Sequence, residues 1–173
     1  GRRIAFIRAG TVFVISPLGG LETKVGDVDA VHIEWTKDGR SLVVSAGQIG
    51  GSRLLLLSVE TGATTKELTS HSRKNIVFGD RTFAVSPDGL KIAFARFYNS
   101  SASDLYLLPL AGGEQIQLTR NERDILGVTW TSDGRELVYA SDRATANYTL
   151  WRRSIDAPMD SPSIRVENAG PNA

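Results

Sequence analysis

Residues 85–95 read Val85-Ser86-Pro87-Asp88-Gly89-Leu90-Lys91-Ile92-Ala93-Phe94-Ala95, a tight turn followed at once by an apolar run. Pro87 presets the turn, Gly89 can take the left-handed conformation, and the Asp88 side chain can bond the backbone beyond it. The same order recurs at Asp38-Gly39 before Leu42-Val43-Val44, and at Asp133-Gly134 before Leu137-Val138-Tyr139-Ala140. A fourth copy starts in mid-pattern at Gly1, before Arg3-Ile4-Ala5-Phe6-Ile7. The Gly residues lie about 38, 50 and 45 residues apart, the spacing of solenoid and propeller repeats. Asp38, Gly39, Asp88, Gly89, Asp133 and Gly134 are thus read as structural turn residues, not catalytic groups.

Each unit continues alike. A second apolar run follows at Val12–Ile15, Leu54–Leu57, Leu105–Leu108 and Tyr148–Trp151. A turn with Gly or Pro comes next, then a polar strand-like segment at Leu21–Val25, Thr65–Thr69, Gln115–Thr119 and Ile164–Val166. Before each Asp-Gly lies a further strand candidate: Val31–Trp35, Thr82–Val85 and Gly127–Trp130. No stretch keeps helical spacing, so the class is all-β. The middle strands read as near-continuous apolar runs, as expected where both faces are covered. The last strand, as in Thr64-Thr65-Lys66-Glu67, alternates and carries charge, which protects an edge. Such a four-stranded antiparallel sheet is a blade of a β-propeller. A sandwich would alternate more cleanly and is the second choice. The expected domain is a single partial propeller over 1–173, with blades near 1–28, 29–72, 73–122 and 123–173. It is open or part of a larger ring, and the first blade lacks its first strand.

Trp35-Thr36-Lys37-Asp38-Gly39, Val85-Ser86-Pro87-Asp88-Gly89 and Trp130-Thr131-Ser132-Asp133-Gly134 resemble the Trp-Ser-Pro-Asp-Gly element of TolB-like β-propellers. Leu68-Thr69 and Leu118-Thr119 resemble the Leu-Thr that closes each unit of that family, and Ser141-Asp142-Arg143 its Ser-Asp-Arg. Only one unit keeps the Pro, and nothing in the chain looks like an amino-terminal α/β domain. The resemblance implies a propeller and three settings for it. One is a periplasmic, non-catalytic binding module of the cell envelope. Another is the sensor portion of a membrane-anchored winged-helix regulator. The third is the gating propeller of a prolyl-oligopeptidase-type peptidase whose catalytic domain lies elsewhere.

Composition excludes several functions. Hydrophobic residues at 41% and charged residues at 23% mark a globular chain, not a disordered one. A formal charge of +1, from 20 Lys+Arg against 19 Asp+Glu, offers no excess for nucleic acid. Cysteine is absent and only His32 and His71 could supply imidazole, so no metal or cofactor is expected. The longest apolar run is too short to insert in a membrane. Gly1-Arg2-Arg3 does not read as the start of a signal peptide. No Gly-x-Ser-x-Gly elbow occurs, and Ser70-His71-Ser72 has no identifiable acid partner. Gly47-Gln48-Ile49-Gly50-Gly51 lacks the Lys and helix of a phosphate loop. Asp27-Val28-Asp29 reads as a polar turn, and His32, alternating with Glu34, as a residue that lines a channel or satisfies a local bond and not as a metal ligand.

What remains is a loop face. The loops joining second and third strands, and those joining blades, would gather Arg73, Lys74, Arg81, Tyr98, Arg120, Arg123, Asp142 and Arg143. Arg and Tyr are the residue types that carry interface energy. The expected partner is a protein or peptide, held chiefly by Arg73, Arg81, Tyr98, Arg123 and Arg143. Phe97-Tyr98 is read as an aromatic anchor in a loop, and Arg143 as a candidate lock on its own loop through Asp142. Exposed end blades would also invite self-association.

Overall fold

The computed structural model describes residues 2–47, 51–70, 79–120, 122–144 and 147–167. Gly1, the stretch 48–50 of the Gly-rich segment, His71, Arg73 and Lys74 lie outside them. Among the described residues every regular element is a strand, so no helix is long and apolar enough to cross a membrane.

The strands form four antiparallel sheets in sequence order. The first holds β1 (Ile4–Arg8), β2 (Thr11–Ile15) and β3 (Thr23–Asp27). The second holds β4 (Ala30–Trp35), β5 (Ser41–Ala46), β6 (Arg53–Ser58) and β7 (Thr64–Glu67). The third runs β8 (Gly79–Val85), β9 (Lys91–Asn99), β10 (Ala102–Pro109) and β11 (Ile116–Gln117). The fourth runs β12 (Ile125–Trp130), β13 (Glu136–Ser141), β14 (Thr149–Ser154) and β15 (Ile164–Arg165). Consecutive strands are neighbours throughout, the meander of a propeller blade, and among the described residues the first blade has three strands where the others have four.

The inner hairpins share one clasp. Thr36, Ser86 and Thr131 each donate their hydroxyl to the Asp two residues on, at 2.6, 2.5 and 2.6 Å. Each hydroxyl in turn accepts the amide five residues ahead, from Ser41, Lys91 and Glu136. The same Asp oxygen accepts the amide just past the Gly, at Arg40, Leu90 and Arg135. Three chain reversals are thus fixed by one short polar network each. The Gly residues sit at φ +66, +78 and +70°, which only Gly adopts without strain.

The outer strand is closed by the Leu-Thr pair. Leu68 and Leu118 are buried and donate their amides to Leu54 and Leu105 carbonyls, both at 2.8 Å. The following Thr69 and Thr119 hydroxyls accept the Leu54 and Leu105 amides at 2.8 and 2.9 Å. Val166 makes the equivalent backbone bond to Leu150 in the fourth blade, with Glu167 in place of the Thr.

Successive residues of the middle strands enter different cores, because strand side chains alternate. Val44 packs with Val12, Val14 and Leu57 between blades one and two, while Val43 packs with Leu54, Phe83 and Phe94 between blades two and three. Ala93 and Ala95 join Leu105, Leu137 and Tyr139 between blades three and four. Both faces of β5 and β9 are therefore apolar. In β2 and β13 buried and half-buried residues alternate instead, because among the described residues another blade packs on one face only. Two bonds tie the inner strands across blades. The Glu34 carboxylate accepts the Val85 amide at 2.9 Å, and the Trp130 indole donates to the Ala84 carbonyl at 3.0 Å.

One sequence expectation is corrected here. Phe97 and Tyr98 belong to β9 and not to a loop, because the β9–β10 hairpin continues to Asn99 and Ala102 with a register shift beside Ser103. Phe97 joins the core between blades three and four.

The clasp has two measurable consequences. Hydroxyl and then amide bonds hold the Asp38, Asp88 and Asp133 carboxyls below their ordinary value of 3.8. The folded state therefore binds these protons less tightly than the unfolded chain. The stability they contribute is full above that ordinary value and lost as pH falls below it. Urea midpoints at about pH 5.5 and about pH 2.5 should fall less for the triple variant Asp38→Asn, Asp88→Asn, Asp133→Asn than for the native chain. Gly134→Val should cost about 1–2 kcal/mol in the same assay at neutral pH. An added Cβ there would meet only Pro87, at 3.7 Å, so the cost is conformational and not steric.

Candidate functional site

Each inner strand carries a β-bulge at the same place. The register against the second strand shifts between Ala30 and His32, between Asp80 and Thr82, and between Ile125 and Gly127. The residue passed over is Val31, Arg81 or Leu126, seven positions before the turn Asp in every case. A bulge leaves one residue out of the ladder and re-aims its side chain. The preceding residue is buried each time, at Ala30, Asp80 and Ile125, and the bulged residue is turned outward. Val31 is 55% and Leu126 66% exposed.

The three bulged residues line a single groove of about 560 Å³ with His32, Phe97 and Asp124. The Arg81 guanidinium lies 5.9 Å from the centre of the Phe97 ring. The Asp124 carboxylate accepts a hydrogen bond from the Tyr148 hydroxyl. The His32 ring stacks on Phe83 at 4.4 Å, and burial lowers its pKa, so it is a neutral imidazole at neutral pH. The groove thus offers two exposed aliphatic side chains, Val31 and Leu126, together with a cation, Arg81, and an anion, Asp124. Among the described residues no group of three His, Asp or Glu could hold a metal ion.

The other residues expected on the loop face divide between rim and interior. Arg123 is exposed and pairs with Asp142 at 3.5 Å. Arg143 does lock its surroundings, but through Glu122 at 2.5 Å and not through Asp142, which is turned toward Arg123. Its guanidinium also covers the Trp151 ring at 4.8 Å. The buried Glu122 carboxylate further accepts the Tyr139 hydroxyl at 3.1 Å, and burial raises its pKa despite Arg143. Burial likewise pushes the Tyr139 phenol up to about 12. Tyr98 is half-buried, its hydroxyl 2.6 Å from that of Tyr106, and burial pushes its phenol far up. Beside it, Arg96 makes a bidentate pair with the fully buried Asp80 at 2.9 and 3.1 Å. Arg120 reaches the sulfur of Met159 at 3.8 Å. Of the expected docking residues, Arg81 lines the groove, Arg123 stands beside it in sequence, and Tyr98 and Arg143 are structural.

Sequence reading missed Val31 and Leu126. Their constant offset of seven residues from the Asp of Asp-Gly was the available signal, masked because their side chains differ from Arg81.

No family model matches the chain. Among solved structures it is similar to a protein assigned as TolB in Agrobacterium tumefaciens, with TM-score 0.76 and 23% identity over 98% of this chain and 59% of that one. It also superposes on TolB from Acinetobacter baumannii, with TM-score 0.73 and 18% identity over 97% of this chain and 42% of that one. A third likeness is to the hydrazine synthase of Kuenenia stuttgartiensis, with TM-score 0.69 and 16% identity over 96% of this chain and 51% of that one. The fold is therefore that of a TolB-like β-propeller segment, and the chain spans 59% or less of each of these proteins.

The two arginines that flank the Glu122–Asp142 region should behave oppositely. Arg143→Met leaves a buried carboxylate without its cation and should lower stability by about 2–3 kcal/mol. Arg123→Ala removes an exposed pair and should cost less than about 1 kcal/mol. Chemical denaturation of both variants at neutral pH checks the assignment.

Proposed function

We propose that this propeller segment is a non-catalytic module that binds a protein or peptide in the groove of the three bulged residues. The observation that carries this reading is the repeated bulge. It places Val31, Arg81 and Leu126 at equivalent positions and turns all three into one concavity. Exposed aliphatic side chains beside an Arg form the kind of surface that an interface desolvates. Asp124, two residues before Leu126, supplies the opposite charge in the same groove, so a partner presenting a carboxylate and an apolar side chain would be oriented as well as held. The setting proposed is the cell envelope, on the strength of the TolB-like repeat.

The test is photo-crosslinking from position 82, a groove residue other than the three bulged ones, after mixing the chain with envelope extract. The chain that carries the crosslinker there and is otherwise unchanged should give a discrete crosslinked species. Arg81→Glu should abolish it with little change in melting temperature, because among the described residues Arg81 makes no ion pair and its guanidinium lies 5.9 Å from the centre of the Phe97 ring, at the outer limit of such a contact. Leu126→Asp should abolish capture on immobilised protein in the same way. Equal capture by native and both variant proteins would remove the groove from the reading.

A further inference from the structure

The residues that follow the three bulged positions differ as much as the bulged residues do. They are His32, Thr82 and Gly127, and all three line the groove. They divide it into a polar part on blades two and three and an apolar part on blade four.

Two groups of the polar part are uncommitted. Among the described residues the Arg81 side chain makes no ion pair and no hydrogen bond; its contact is the Phe97 ring. The His32 imidazole has no hydrogen-bond partner among the described residues either, and its ring is held by stacking on Phe83. Phe83 lies two residues beyond Arg81 on β8, and β4 packs against β8. Imidazole and guanidinium thus meet the groove from neighbouring strands at the same end. A neutral imidazole carries one N–H, which can donate beside a guanidinium to a single anion.

The apolar part has room. A Cβ added to Gly127 would meet no atom within 4 Å, and the Gly127 backbone is not in the left-handed region. Leu126 and Val128 line the groove on either side of it. Asp124, just before β12, already accepts the Tyr148 hydroxyl, and its charge turns a second carboxylate away from blade four and toward Arg81.

An occupant that suits both parts presents a carboxylate and an apolar side chain close together. The last residue of a peptide chain carries the two on one carbon. We infer that the groove receives the free carboxyl end of a peptide whose last residue is apolar. The terminal carboxylate accepts hydrogen bonds from Arg81 and His32, and the side chain fills the space over Gly127 between Leu126 and Val128. The inference rests on the groove reading and narrows it from any protein or peptide to one kind of chain end.

The probe is a hexapeptide of glycine and serine ending in leucine, with fluorescein at its amino end and a free carboxyl group, titrated against the full chain by anisotropy. Binding should be saturable. The carboxamide form, and a form ending in alanine, should each bind about tenfold more weakly or worse. Two variants assign these losses to residues. For Arg81→Gln the acid and the carboxamide should bind within about twofold of each other, because the group that tells them apart is gone. For Gly127→Val the leucine and alanine forms should converge in the same way, because the new side chain takes the space. The peptide comparisons on the native chain stand without either variant. No binding by the leucine acid, or equal affinity for its carboxamide or its alanine form, would overturn the inference. So would an undiminished preference for the acid in Arg81→Gln. If the crosslinked species from position 82 persists in any of those cases, the groove reading survives and only the chain-end inference falls; if that species is absent as well, both fall.

Discussion

A hydroxyl donated to an aspartate, repeated at the end of three inner hairpins, sets the position of nearly everything else in this protein. Thr36, Ser86 and Thr131 use one oxygen to hold the Asp and to accept the amide five residues ahead. That double use fixes which residue of the inner strand faces which residue of the second. With Trp35 opposite Leu42, Val85 opposite Ile92 and Trp130 opposite Leu137, the register is set from the turn outward. The bulge then falls at a constant distance from the clasp. So do the side chains it turns into the groove, and the buried residue just before each of them.

Local chemistry is what the sequence made legible. Asp-Gly turns and the Leu-Thr closure act over a few residues, so their residue types announce their roles, and the all-β repeat could be read from them. The bulges were hidden because a bulge is a property of two paired strands. Val31 or Leu126 looks like any other apolar strand residue until its partner is known. Phe97-Tyr98 was misplaced for a related reason. The apolar run of β9 ends in Arg96, which reads as the start of a loop, yet Arg96 lies inside the blade against Asp80 and under Phe94 and Tyr106.

Arg96 and Arg143 show how a charge is accommodated within such thin layers. Each guanidinium meets a buried carboxylate, and each has its face covered by aromatic rings: Phe94 and Tyr106 for Arg96, Trp151 for Arg143. A planar, weakly hydrated cation suits both contacts at once, whereas an ammonium would satisfy only the first. Removing the cation alone would leave the carboxylate stranded, which is the costly half of a buried pair. These side chains therefore belong to the scaffold, and the residues turned outward into the groove are those outside the ladder.

The bulge has a consequence for how such a protein diversifies. A residue without a register partner can change from valine to arginine to leucine, as it does between consecutive blades here, while the strands on either side keep their pairing. Duplicating a blade would then copy the clasp, the closure and the core, yet leave one position per copy open to drift. Three such positions side by side amount to a small combinatorial surface carried by an unvarying frame. Residues 31, 81 and 126 are where substitution is least coupled to folding.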